Sequence, residues 1–417
     1  MKVRPSLTRS VFGHRGFALF WGARIFSTLA VQAESATLGW QVYTLARHTR
    51  TVEQSAFLVG MVGLVQFVPL FILTLIAGAT ADRRDRRAIM LICTAVEIAC
   101  ALALAVFALR PGQGLAPIFA IAALFGASRA FLSPAGTAMA PMLVPRKALP
   151  QAISWNALGD QAGSVIGPWV GGALCAVSPA VAYGGSALLY ALAGGALLAV
   201  QANTRPAPQP GSRLEQIREG LAYVWTNKIV LGAISLDLAA VLLGGATALL
   251  PVFASDVLNV GAEGFGVLRS GPAIGAAAMA VALSCWPLHR RAGPWMFAGV
   301  AAFGISTLVF ALSRSLIVSM IALIALGAAD MISVYVRQSL VQLATPDVMR
   351  GRVSAVSNLF IGASAELGEF ETGVVARFLG PVGAAIFGGL GSLVVTAAWA
   401  RIFPSLRKAD RLDGTDP

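Results

Sequence analysis

Apolar runs of bilayer length, repeated along almost the whole chain, leave few folds open. A stretch of roughly 20 apolar residues crosses the hydrocarbon as a helix. The sequence offers twelve such stretches, at 17–45, 55–80, 88–109, 116–140, 153–177, 180–202, 229–253, 264–288, 294–313, 316–342, 353–379 and 381–404. Lipid gives a backbone no hydrogen-bond partner, so each run is expected as a helix. Charged residues are only 12% of the 417 and hydrophobic ones 57%. That charge share is about half the usual one for soluble domains, which argues against a cytosolic enzyme. Cys93, Cys100, Cys175 and Cys285 all lie in apolar runs without CxxC spacing, and the three His are scattered. No disulfide framework, metal site or other cofactor is expected.

The net charge of +12 suggests a nucleic-acid partner only until its placement is examined. With a cytoplasmic N-terminus, the outer loops hold Arg47, Arg50, Arg110, Arg314 and Arg377. Arg24, Arg129, Arg269 and Arg337 fall inside spans. The remaining 22 of the 31 Lys and Arg face the cytoplasm. This is a strong positive-inside bias, so both termini are expected in the cytoplasm of a multi-pass bacterial inner-membrane protein. The basicity is topological, and no nucleic-acid role is expected. Val31-Gln32-Ala33 before Glu34 resembles a signal-peptide cleavage site, but Arg24 interrupts the apolar run and eleven spans follow, so an uncleaved first helix is expected.

The longest polar break, 203–228, divides the chain into an N-terminal six-helix bundle at 1–202 and a C-terminal bundle with a short tail at 229–417. Its Pro206, Pro208 and Pro210 bar helix continuation. Leu214, Ile217, Leu221 and Val224 then recur at helical spacing opposite Glu215, Arg218 and Glu219, which predicts an amphipathic helix on the inner membrane surface. The two bundles resemble repeats. Gly126 and Gly327 differ by 201 positions, as do Pro145 and Pro346. The fold expected is an all-α membrane protein of twelve helices in two pseudo-symmetric bundles, with a site between them near mid-membrane.

The loop after the second span reads Gly78-Ala79-Thr80-Ala81-Asp82-Arg83-Arg84-Asp85-Arg86-Arg87. It resembles the signature of the major facilitator superfamily, with Gly78, Ala81, Asp82, Arg83, Arg86 and Arg87 matching, Thr80 in place of Leu and Asp85 in place of Gly. The resemblance implies a conformational latch: Asp82 would cap the helix that starts near Val353, and Arg83, Arg86 and Arg87 would pair across the inner rim in an outward-facing state. Asp160 is expected near that latch. Gly163, Gly167, Pro168, Gly171 and Gly172 resemble a fifth-span motif of the superfamily's exporters, although ordinary small-residue helix packing also explains them. Trp40-Gln41-Val42-Tyr43, Arg129 to Pro134 and Glu366 to Gly373 are similar to the branch of the superfamily containing enterobactin exporters and other secretion carriers.

Ionisable groups within spans are costly and face a cavity or a partner. The family fold lines its cavity with spans one, four, seven and ten, which here carry Glu34, Arg129, Asp237 and Asp330. Arg129 and Asp330 share the 201 offset, so they are expected to pair across the cavity. Glu366 and Glu369 in span eleven join the proton-carrying candidates. Arg24 and Arg337 are expected to snorkel or pair at the rim, and Glu97 to hydrogen-bond between helices. Trp40 and Tyr335 either stack on substrate or pack. The reading is a monomeric, non-enzymatic carrier that exports a siderophore or similar organic molecule by proton-coupled alternating access. Multidrug efflux is one alternative and a non-transporting membrane sensor another.

Overall fold

The computed structural model describes residues 11–110, 114–202, 204, 213–288 and 290–410. Long helices dominate: α1 (Arg15–Arg47), α2 (Val52–Ala81), α3 (Arg86–Ala108), α4 (Leu115–Met139), α5 (Leu149–Val177) and α6 (Pro179–Leu198). A shorter α7 (Arg213–Thr226) leads to α8 (Lys228–Leu243), α9 (Gly261–Cys285), α10 (Ala292–Leu312), α11 (Leu316–Ala344), α12 (Asp347–Ile402) and a final turn, α13 (Pro404–Arg407). Nine helical stretches among the described residues are long and apolar enough to cross a membrane. α1 and α5 are not among them; α1 carries Arg24, Gln32 and Glu34, and α5 carries Asn156, Asp160 and Gln161. Ile72, Ile92, Val281 and Val394 lie on the bundle's outside and are all more than 60% exposed, as a lipid-facing belt requires.

Local chemistry sets the helix ends. Spans five and six meet without a loop, because Ser178 is extended and its hydroxyl accepts from the Val181 amide at 3.2 Å while Pro179 opens α6. Asp85 caps α3 through the Arg87 amide at 3.0 Å, and Asn227 caps α8 through the Ile229 and Val230 amides, both at 3.1 Å. α12 holds two arms, 347–379 and 381–402, separated by Gly380 at φ 73° ahead of Pro381.

Two expectations need correction. The seventh span is not one continuous helix over 229–253. α8 stops at Leu243, and the chain continues through Gly244 and Gly245 into a 3₁₀ turn (Ala246–Leu249) and a π turn (Phe253–Val257). A Cβ on Gly245 would stand 2.5 Å from the Gly368 carbonyl, so the break lets the first arm of α12 pass at backbone distance. On the linker helix, α7, the described part of the apolar face, Leu221 and Val224, faces protein and not lipid. Leu221 and Val224 pack on Val230, Ile234, Val341, Val353 and Val356, and Val224 is buried. The proline run at 205–210 and the side chains of Leu214, Glu215 and Ile217 lie outside the described residues.

α1–α6 form one group of helices and α8–α12 another, and they meet along two seams, α2 with the first arm of α12 and α5 with α9. Glycine makes both seams possible. A Cβ on Gly60 would stand 2.8 Å from the Gly373 Cα, and one on Gly172 only 2.6 Å from the Gly266 Cα. We name the end where α1 begins and α12 finishes the near end. Toward the far end a single apolar cluster draws on both groups, including Val42, Val59, Phe253, Phe265 and Phe310. Toward the near end the clusters separate: Phe17, Phe20 and Met139 belong to one group, and Met296, Val336 and Leu340 to the other. The far end is sealed by shared apolar packing, and at the near end the two groups keep separate apolar cores.

Replacing Gly172 with Ala forces the α5–α9 seam apart and is expected to cost roughly 1–3 kcal/mol, as overpacking does. Gly184→Ala meets nothing within 4 Å and is expected to leave the melting temperature of the purified protein unchanged or higher. Equal melting temperatures for the two variants would contradict this account of the seam.

Candidate functional site

The N-terminal group holds a cavity of about 330 Å³ bounded by α1, α3, α4, α5 and α6. Arg24, Thr28, Gln32, Thr94, Arg129 and Ser133 are among its walls. Arg129 also lines a second pocket of about 150 Å³, which lies between the two groups of helices. There it meets Gln66 of α2, Arg269 of α9, and Glu366 and Glu369 of α12. This arrangement places two guanidinium groups and two carboxyl groups at mid-depth.

The expected pairing of Arg129 with Asp330 is overturned. Arg129 reaches Glu366 at 3.4 Å and the Gln66 side-chain carbonyl at 3.5 Å. The reason lies in the backbone. A Cβ on Gly126, one turn before Arg129, would stand 2.3 Å from the Gln66 carbonyl, so α4 lies directly on α2. A Cβ on Gly63 would stand 3.0 Å from the Glu366 carbonyl, and Gly63 is one turn from Gln66 on the same face of α2, so the first arm of α12 passes beside α4 there. The guanidinium therefore reaches a carboxylate of the other group.

Asp237 and Asp330 do not line either of these cavities. Asp237 pairs at 3.3 Å with Arg337, which is buried rather than snorkelling. The two aspartates share a separate small pocket inside the C-terminal group. Glu34 is also away from the cavity: it is buried inside the N-terminal group, as Glu97 is. Neither Glu97 carboxyl oxygen has a hydrogen-bond partner, so the expected interhelical bond is not made. Arg24 pairs with Asp160 at 2.5 Å, joining α1 to α5 at the cavity wall, so Asp160 is engaged there and not with the loop at 78–87.

Arg86 and Arg87 of that loop are bound within the N-terminal group. Arg86 donates to the Ala138 carbonyl at 2.7 Å, and Arg87 donates to the carbonyls of Leu197 at 2.9 Å and Leu198 at 2.6 Å. Arg83 is exposed, and Asp82 terminates α2, its amide bonded to the Gly78 carbonyl at 3.2 Å. The glycines of the fifth-span motif have packing roles. Gly163 meets Thr28, Gly167 meets Gln32, and Gly171 meets Ala33, all on α1, while Gly172 and the Pro168 carbonyl meet Gly266 on α9. Trp40 stacks on Phe265 at 5.6 Å in the far-end seal, and Tyr335 packs among α8, α10 and α11.

Sequence reasoning missed three partners. Arg269 was counted only as a charge within a span, and Gln66 was not noticed. Asp256 ties the far ends together, accepting from Arg47 at 3.1 Å and from the Tyr43 hydroxyl. Among the described residues no cluster of three or more His, Cys, Asp or Glu is placed to hold a metal.

A double-mutant cycle follows from this geometry. Arg129→Gln and Glu366→Gln are expected to couple by roughly 0.5–3 kcal/mol in thermal stability, as contacting charges do, whereas Arg129→Gln and Asp330→Asn are expected to be additive. Additivity in the first pair and coupling in the second would restore the overturned pairing.

Comparison with known proteins agrees with this geometry. Residues 8–416 match the transmembrane secretion effector family. Proteins named enterobactin exporter EntS are similar over 403 residues, which is 95% of this chain and 93% of theirs. The one from Escherichia coli O81 (strain ED1a) is 25% identical and that from Shigella boydii serotype 18 is 24% identical. The fold is shared with a D-xylose-proton symporter (TM-score 0.72, 12% identity, 98% of this chain and 100% of that one). It is also shared with a POT family transporter in complex with 5-aminolevulinic acid (TM-score 0.73, 13% identity, 94% and 97%). The chain is a transporter of the major facilitator type, and it belongs to the transmembrane secretion effector family.

Proposed function

We propose that the protein exports a siderophore or similar organic anion across the bacterial inner membrane by proton-coupled alternating access. The observation that carries this reading is a pair of cavities that share Gln32 and Arg129, one inside the N-terminal group and one, with four charges, between the groups, both distinct from the apolar far-end seal. The near end faces the cytoplasm, as the bias of Lys and Arg requires. α1 and α5 cross the membrane beside the nine strongly apolar stretches, and the two arms of α12 cross separately. Twelve spans result, in two pseudo-symmetric halves joined by the linker at 203–228.

Substrate enters from the cytoplasm, where Arg129 and Arg269 offer positive charge to an acidic or catecholate oxygen, which takes the place of Glu366 at Arg129. Closing the near end and breaking the far-end bonds of Asp256 exposes the same pocket to the outside. In that opposite state Arg87 exchanges its bonds to the Leu197 and Leu198 carbonyls for partners on the other half. Relatives named enterobactin exporters support a siderophore over a lipophilic drug as the cargo.

Right-side-out proteoliposomes loaded with enterobactin and given an acidic exterior test the reading. Enterobactin is expected to leave, a protonophore to stop it, and a lipophilic cation such as ethidium to be retained. Efflux that persists after the gradient collapses would remove proton coupling. Ethidium efflux without enterobactin efflux would favour a drug pump, and no flux of either would leave a sensor.

A further inference from the structure

Asp237 of α8 and Asp330 of α11 face a pocket of about 10 Å³, walled on its apolar side by Val300 and Phe303 of α10. That volume admits one water molecule and excludes any organic cargo. Arg337, one to two turns along α11 and buried, pairs with Asp237 at 3.3 Å and balances one of the two carboxylates. The other carboxylate has no cation of its own. α10 carries no charged residue. On α8 the only other charge is Lys228, at its first residue, and the second arm of α12 carries Arg401 in its last turn. Of the charges on α9, Glu263 lies in the first turn and Arg269 lines the four-charge pocket.

A second observation is independent of this charge count. Ser333, one turn after Asp330, lines the same pocket, is 2% exposed, and its hydroxyl has no hydrogen-bond partner among the described residues. A buried hydroxyl without a partner is costly, and one water in the pocket would satisfy it and reach the carboxylates.

We propose that this pocket is where the coupling proton is carried, with Asp330 as its carrier, the Ser333 hydroxyl and one water as its relay, and the Arg337–Asp237 pair as fixed counter-charge. The inference rests on the exporter reading and adds the site of its coupling ion, apart from the cargo cavity. One proton arrives on hydronium, forms an O–H bond at an Asp330 carboxylate oxygen, and later returns to water; no electrons are exchanged. Its arrival cancels the one excess negative charge between α8 and α11. α8 continues through the Gly244–Gly245 break into the segment bearing Phe253 and Asp256, so a change at Asp330 is transmitted to the far-end seal.

Infrared difference spectra of the purified full-length protein across a pH titration test this directly, alongside enterobactin flux in proteoliposomes. A protonated-carboxyl band that titrates in the parent is expected to disappear in Asp330→Asn and to shift in Ser333→Ala. Na⁺ added at fixed pH should leave it in place. Because Asn resembles the neutral acid and leaves the Asp237–Arg337 pair intact, Asp330→Asn is expected to fold and to exchange enterobactin between equal pools, but to lose efflux driven by the pH gradient. The same titrating band in parent and Asp330→Asn, or a band displaced by Na⁺, would overturn the assignment. A titrating Asp330 band in a parent that moves no enterobactin would sink the exporter reading and leave the proton site standing.

Discussion

Charges at mid-depth in a bilayer protein must be met by protein, since insertion scales place each at roughly 2.5–3.5 kcal/mol in lipid. Arg129 sits in the N-terminal group of helices and Glu366 in the C-terminal group, 3.4 Å apart, with Arg269 and Glu369 lining the same pocket. Each group therefore supplies what the other needs at this depth. Above this level an apolar cluster closes the molecule, and below it the two groups have separate cores. In the proposed cycle the charged junction, between the sealed far end and the near end with its separate cores, is the fulcrum. Charge pairs tolerate water and small changes of angle better than a close-packed apolar seam does.

Small residues set the position of that junction. Gly60 against Gly373 and Gly172 against Gly266 bring the groups to backbone contact along two seams, and Gly63 and Gly126 let α12 and α4 approach one face of α2, where Arg129 reaches Glu366. The exporter-like glycines of α5 act in the same way. They hold α5 on α1 and on α9, next to the cavity wall that Arg24 and Asp160 brace.

Most of the long apolar helices were legible because they depend on local chemistry, above all hydropathy. The partner of Arg129 was not. The 201-residue offset finds the residue equivalent to Arg129 in the other repeat, and equivalent residues touch only where both face the axis between the repeats. Arg129 reaches Glu366 instead, and Asp330 turns toward α8 and its own pocket. Glu34 was misplaced for a related reason, since membership of a cavity-lining helix does not fix which face of the helix a residue occupies. The break in the seventh span was marked by Gly244-Gly245. Hydropathy does not register that pair, because the residues around it remain apolar.

Reciprocal movement of the two ends about the charged junction is the centre of this account. Spin labels in a background with Cys285 replaced by Ser measure it directly, since the other three cysteines are buried. One labelled pair, at Thr49 and Glu263, spans the far end, and another, at Arg84 and Leu343, spans the near end; all four positions are exposed. Electron–electron distances recorded with and without acid and enterobactin are predicted to change in opposite senses, the far-end distance lengthening as the near-end distance shortens. Distances that rise or fall together, or a near-end distance that stays fixed while the far end opens, would contradict it.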